Sequence, residues 1–212
     1  MNATDKILFF KESSLLKLPL ILTIGRIFIS PIFLFFYLYH AKMGISLSVV
    51  PIILLGLLGI SELSDFLDGY LARKYKLVTK LGKILDPMAD SITRLTILLT
   101  FTQGIIQLPL SIVFVFIYRD AMISTLRTVC AFRGVTLAAR TSGKVKAVLQ
   151  AVSILSILIL MIFNSNHLIS VRQLQDASLI IISLAALYTV FAGVEYIIAN
   201  KKHISDAWKP LR

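Results

Sequence analysis

The stretch DFLDGYLARKYKLVTKLGKILDPMAD, Asp65 to Asp90, decides how this chain is read. Its charged and small residues recur as Asp65-x2-Asp68-Gly69-x2-Ala72-Arg73-x8-Gly82-x3-Asp86-x3-Asp90, with long apolar runs on both sides. A carboxylate beside lipid is costly unless it is paired, hydrated or bound to metal. Asp65 and Asp68 stand three apart and so share a helical face, on which Ala72 falls one turn later. Asp86 and Asp90 stand four apart and share a face in the same way. Two helices that each show a carboxylate pair can converge on one cluster, and four close carboxylates cannot all stay ionised without a cation. Oxygen-only donors with no His or Cys nearby suit Mg²⁺, Mn²⁺ or Ca²⁺ rather than Zn²⁺. Two such ions about 4 Å apart would form a clamp for phosphoryl transfer. Gly69 and Ala72 leave bare helix surface for a bulky ligand, and Arg73 offers a forked, permanent cation for phosphate. Asp86-Pro87 alone would read as a turn or a helix start, and a lone Asp-x-x-Asp as a solvated turn. It is the full pattern, set between apolar runs, that points to chemistry.

This pattern resembles the signature of the CDP-alcohol phosphotransferase family of integral membrane enzymes, and every signature position is matched. The family joins an alcohol to a phosphate held in a CDP-linked donor and releases CMP. The resemblance implies an all-α fold of six transmembrane helices, a homodimer, and a metal site at the cytoplasmic end of the membrane. It also implies two Mg²⁺ or Mn²⁺ ions held by Asp65, Asp68, Asp86 and Asp90. Asp90 would be the catalytic residue that also accepts the attacking hydroxyl's proton. Thr23, Gly69, Ala72, Arg73 and Gly82 would lie against the CDP donor.

Composition agrees with a membrane protein. Of 212 residues, 57% are hydrophobic, above the roughly 45–50% of soluble domains. One membrane domain over residues 1–212 is expected. The net charge of +11 argues for anionic headgroups and phosphorylated substrates, and against nucleic acid in so apolar a chain. Cys130 is the only cysteine, so no internal disulfide forms. A bilayer span needs about 20 mostly apolar residues. Candidate spans are Leu20–Tyr39, Ile45–Ser64, Asp86–Thr102, Leu108–Leu126, Val145–Phe163 and Ala177–Asn200, with loops at Gln103–Gln107 and Asn164–Asp176. The N-terminal MNATDKILFFKESSLLKLP mixes apolar residues with Lys6, Lys11 and Lys17, and reads as a short interfacial helix. Gly56 and Gly59 permit close helix packing in the second span. Trp208 reads as an interface anchor.

Charge asymmetry predicts the orientation. If both termini, segments 65–90 and 119–146, and the basic residues at the adjoining helix ends share one side, that side collects every Lys and Arg except Lys42 and Arg172. The positive-inside rule makes it cytoplasmic, in a multi-pass protein of the cytoplasmic (inner) membrane.

A second constellation follows Tyr118. Arg119, Arg127, Arg133, Arg140, Lys144 and Lys146 gather there with a single acid, Asp120. Arg119 and Arg127 lie two turns apart on nearly one face, and Ser142-Gly143-Lys144 opens a span whose N-terminus attracts anions. A plain positive-inside loop would also carry such charge. The alternative is a pocket for an anionic acceptor.

The pattern R-D-x2-I-x3-R, then R-G-x8-G-K-x-K-x3-Q, resembles the phosphatidylglycerophosphate synthase branch of the family. That branch transfers a phosphatidyl group from CDP-diacylglycerol to sn-glycerol 3-phosphate in phospholipid biosynthesis. The resemblance implies that Arg119, Arg127, Lys144 and Lys146 hold the acceptor's phosphate. The segment Leu18–Pro31, with Thr23 and Arg26, resembles the branch's first span, although Leu20 stands where the branch has Asn. Ser91 stands where the branch has Lys after the last motif aspartate, and Arg94 is the nearest cation to replace it. The rival acceptors are inositol phosphate, serine, phosphatidylglycerol, and the pairing of CDP-choline with diacylglycerol. A divalent-cation transporter would also want facing carboxylates, but it gains nothing from Arg73.

Overall fold

The computed structural model of the protein describes residues 3–75, 82–132, 134, 137 and 140–207. Over 3–20, 72–73, 82–84 and 206–207 it describes the backbone alone. Among the described residues six helices follow one another: α1 (Ala3–Tyr39), α2 (Val50–Lys74), α3 (Gly82–Thr100), α4 (Leu110–Phe132), α5 (Thr141–Ser165) and α6 (Val171–Ala207). A single 3₁₀ turn, His40–Met43, follows α1. No strand forms among the described residues. Trp208 and Arg133 lie outside them.

The helix ends have local causes. The turn after α1 closes on Gly44 at φ 69°, a left-handed conformation that glycine adopts without cost, and its N–H bonds to the carbonyl of Ala41. The link from α3 to α4 is short, and the Leu108 N–H closes it on the Phe101 carbonyl at 2.9 Å. Ser170 and Gln173 cap the start of α6 reciprocally. The Gln173 N–H donates to Ser170 Oγ at 3.2 Å, and the Ser170 N–H donates to Gln173 Oε1 at 2.8 Å.

Several expected boundaries move. The capping box starts α6 at Val171, so Val171–Asp176 is helix and not loop. The N-terminal segment is not a separate short helix: α1 runs unbroken from Ala3 into the first apolar run. Asp65 and Asp68 lie well inside α2, which passes the expected span end by ten residues. Helix α4 continues past Leu126 to Phe132, which leaves Arg119 and Asp120 near its middle. Gly56 and Gly59 meet nothing: a Cβ at either would find open space, so neither serves a close helix contact among the described residues.

Among the described residues, four helical segments are long and apolar enough to cross a membrane: Ile21–Met43, Val50–Leu71, Thr141–Ser165 and Val171–Ser205. Large apolar side chains such as Phe28, Ile52, Phe66, Leu184 and Leu187 are exposed on them, as suits lipid and not water. The chain is an all-helical membrane protein.

The chain packs as two compact units, residues 1–97 and 98–212. In the first, α1 packs on α2. Its core holds Phe33, Tyr37 and Leu54 together with a polar stripe on α1, Thr23, Arg26 and Ser30. These three fall at helical spacing on one face. In the second, α6 packs on both α4 and α5 around Phe116, Ile154, Ile157, Leu158 and Ile182.

Candidate active site

The polar stripe of α1 meets the aspartates of α2 and α3. Arg26 is 2% exposed and is the largest fully buried side chain among the described residues. Its Nη1 donates to Asp65 and to Asp90, and its Nη2 donates to Asp68 Oδ2 at 2.9 Å. Thr23 lies one turn earlier. Its hydroxyl stands 3.2 Å from Asp68 Oδ2 and 3.0 Å from Asp86 Oδ1. A hydroxyl has one proton, so it donates to one of these two carboxylates at a time. All four motif aspartates are thus drawn to two neighbouring residues of α1. Thr93 on α3 ties the same place to the α1 backbone, donating to the Arg26 carbonyl at 3.5 Å.

Arg94 stands 3.9 Å from Asp90 and 3.9 Å from Glu62. It is the cation that the sequence offered as the nearest to Ser91, and it lies beside the last motif aspartate. Among the described residues the site holds five carboxylates, counting Glu62, against two guanidinium groups. That excess of negative charge, with oxygen as the only donor atom, fits a hard divalent cation. Among the described residues no three carboxylates close on a common point as ligands of one ion would. Arg26 stands between them instead. A forked guanidinium can bond several carboxylates at once and is the cheapest counter-charge in a buried place.

Of the expected donor-binding residues, Thr23 sits on the aspartates and Gly69 follows Asp68 on α2. The side chains of Ala72 and Arg73, and the surroundings of Gly82, lie outside the described residues.

The basic constellation belongs to the second unit. Lys146 is 5% exposed and donates to both oxygens of Asp120 at 2.9 Å. Arg119 Nη1 donates to the same Asp120 at 3.1 Å, while its buried Nε has no partner among the described residues. Arg127 Nε donates to the phenol oxygen of Tyr196 at 3.1 Å. Lys144 is exposed in the first turn of α5. Glu195 of α6 takes Arg140 at 2.7 Å and the hydroxyl of Ser142. Asp120 is therefore not the only acid here, because Glu195 adds a second from a distant part of the chain. The structure brings Arg119, Lys146 and Asp120 into one group and places Arg127 on Tyr196.

Four residues at the two sites were not singled out by the sequence for these roles. Arg26 carried a signal, since an arginine inside an apolar run must have a partner. Glu195 carried the same signal in α6. Tyr196 carried none. Neither did Gly193, where a Cβ would come within 3.2 Å of Arg119 Cγ. Gln150, one turn past Lys146, is buried, and its Nε2 has no partner among the described residues.

Comparison with known proteins bears on the family. Residues 16–199 match the sequence model of CDP-alcohol phosphatidyltransferase. A protein of Rickettsia bellii is 32% identical over 189 residues, covering 88% of this chain and 97% of its own. One of Bacillus subtilis is 32% identical over 190 residues, covering 87% and 95%. One of Aquifex aeolicus is 32% identical over 169 residues, covering 79% and 90%. All three bear the name CDP-diacylglycerol–glycerol-3-phosphate 3-phosphatidyltransferase. A match that runs from α1 into α6 and through every signature aspartate makes the chain a member of the CDP-alcohol phosphatidyltransferase family.

Proposed function

We propose that this enzyme transfers a phosphatidyl group from CDP-diacylglycerol to sn-glycerol 3-phosphate, giving phosphatidylglycerophosphate and CMP in phospholipid biosynthesis. The observation that carries the reading is the gathering of Asp65, Asp68, Asp86 and Asp90 on Arg26 and Thr23. It occurs in a chain whose relatives at 32% identity are named for that reaction.

In the reaction the acceptor's primary hydroxyl oxygen bonds to the phosphorus that carries diacylglycerol. The bond from that phosphorus to the CMP oxygen breaks, and CMP leaves with the bonding pair. The hydroxyl proton passes to Asp90. Positioning and charge neutralisation are the protein's main contributions to such a transfer. Asp65, Asp68, Asp86 and Asp90 would hold Mg²⁺ or Mn²⁺, two ions in all, which when bound neutralise charge on the pyrophosphate. Arg26 and the metal are then alternative counter-charges for the same carboxylates. Thr23, Gly69, Ala72, Arg73 and Gly82 would lie along the CDP moiety. Arg119, Arg127, Lys144 and Lys146 would hold the acceptor's phosphate. Lys144, exposed in the first turn of α5, is a donor available for it.

The proposed setting is a homodimer in the cytoplasmic (inner) membrane. Its six helices span the bilayer, the start of α1 lies at the interface, and both termini and the aspartate site are cytoplasmic. The distribution of Lys and Arg supports this orientation.

The test is an acceptor panel with purified protein and CDP-diacylglycerol. Glycerol 3-phosphate, inositol phosphate, serine, choline and diacylglycerol compete, and radiolabel from each is followed into lipid along with CMP release. Preferential labelling from glycerol 3-phosphate is expected. Preferential labelling from a neutral or zwitterionic acceptor overturns the acceptor assignment and leaves the family standing. Metal transport without CMP release overturns both.

A further inference from the structure

Two adjacent residues of α6 reach two different helices. Successive helical residues point about 100° apart, so on a helix packed against both α4 and α5 they can face different neighbours. Glu195 holds Arg140 and Ser142 at the start of α5. Tyr196 turns to α4 and holds Arg127.

The hold on Arg127 is twofold. Tyr196 is 1% exposed, and its phenol oxygen accepts the Nε–H of Arg127 at 3.1 Å. The guanidinium carbon also lies 5.2 Å from the centre of the Tyr196 ring, within cation–π range. A guanidinium has five N–H donors, and this contact uses only the one on Nε. Among the described residues the two Nη groups of Arg127 have no partner, and the phenolic proton of Tyr196 has no acceptor.

The chemistry of the partner matters. Lys146 and Arg119 are held by the carboxylate of Asp120, and Arg140 by that of Glu195. Each of those cations is oriented by a carboxylate, although Asp120 divides its single charge between two of them. Arg127 is half-buried and held by a neutral phenol, so it is oriented while its charge stays unspent. A cation in a membrane protein that keeps its charge needs an anion from elsewhere.

We infer that Tyr196 is a positioning residue for the acceptor's phosphate. It fixes Arg127 through Nε and the ring face, and leaves both Nη groups and its own phenolic proton for a phosphate monoester. The inference rests on the proposed acceptor.

The test is Tyr196→Phe, which keeps the ring and removes only the hydroxyl. Steady-state CMP release is measured with the full-length protein, varying glycerol 3-phosphate and CDP-diacylglycerol in turn. The acceptor KM should rise about tenfold or more, the scale of a lost hydrogen bond to a charged group, with kcat and donor KM within about twofold of wild type. A purely structural role for Tyr196 would move donor KM, kcat and thermal stability together. That outcome, or an unchanged acceptor KM in a wild type that uses glycerol 3-phosphate, overturns the inference alone. A wild-type protein that ignores glycerol 3-phosphate overturns the acceptor reading and this inference with it.

Discussion

Arg26 and Asp68 meet at 2.9 Å between α1 and α2, with side chains only 2% and 4% exposed. No other ion pair of the described residues is so nearly sealed. Breaking a buried pair by removing one partner typically costs about 3–5 kcal/mol, because the other charge is left uncompensated. Arg26→Met should therefore lower the unfolding temperature of the detergent-solubilised protein markedly in chelator. Added Mg²⁺ should recover more stability in the variant than in wild type, since both cations serve the same carboxylates. Equal melting of variant and wild type in chelator would show that Arg26 is not the counter-charge.

The excess of carboxylates over guanidinium groups at this site predicts a metal requirement. Activity should vanish with chelator and return on adding Mg²⁺ or Mn²⁺. Thermal shift should report the same binding without turnover. Full activity after metal removal, verified by elemental analysis, excludes the scheme.

Asp90 shares Arg26 Nη1 with Asp65 and lies near Arg94. As the proton acceptor it should be needed for turnover more than for donor binding. Asp90→Asn should lower kcat at least about 10²-fold, the lower end of general acid–base effects. Binding of CDP-diacylglycerol should suffer less than in Asp65→Asn. Near-normal turnover by the Asp90→Asn variant would remove the base from this position.

Lys144 and Lys146 are two residues apart and predict different losses. Lys144 is exposed, so Lys144→Ala should change stability by no more than about 0.5 kcal/mol. It should still raise the acceptor KM. Lys146 is buried on Asp120, so Lys146→Ala should lose stability by about 3–5 kcal/mol as well as acceptor affinity. Because Asp120 also holds Arg119, the triple variant Arg119→Met, Asp120→Leu, Lys146→Met should regain much of that stability without regaining activity. Recovery of activity in that triple variant would leave these cations a purely structural role.

What repeats locally can be read from the order of residues alone. Membrane helices follow from runs of apolar residues. The pairing of Asp65 with Asp68, and of Asp86 with Asp90, follows from the helical period, which places residues three or four apart on one face. Arg94 could be expected beside Asp90 for the same reason, and it stands there. The eight motif positions were also enough to point to the family.

Tertiary structure decided which faces meet. Arg26 finds Asp65 and Asp90 across 39 and 64 residues of chain, and Arg127 finds Tyr196 across 69. A helical period tells which residues share a face and nothing about what lies opposite, since that depends on how helices distant in the chain pack. For that reason the counter-charge expected to be a metal proved to include Arg26. A cluster read as six cations against one acid proved to hold Glu195 as well, and one arginine held by a neutral phenol. Even the start of α6 turned on a contact that composition hides. Ser170 and Gln173 look like loop residues until their side chains cap each other's backbone and begin the helix.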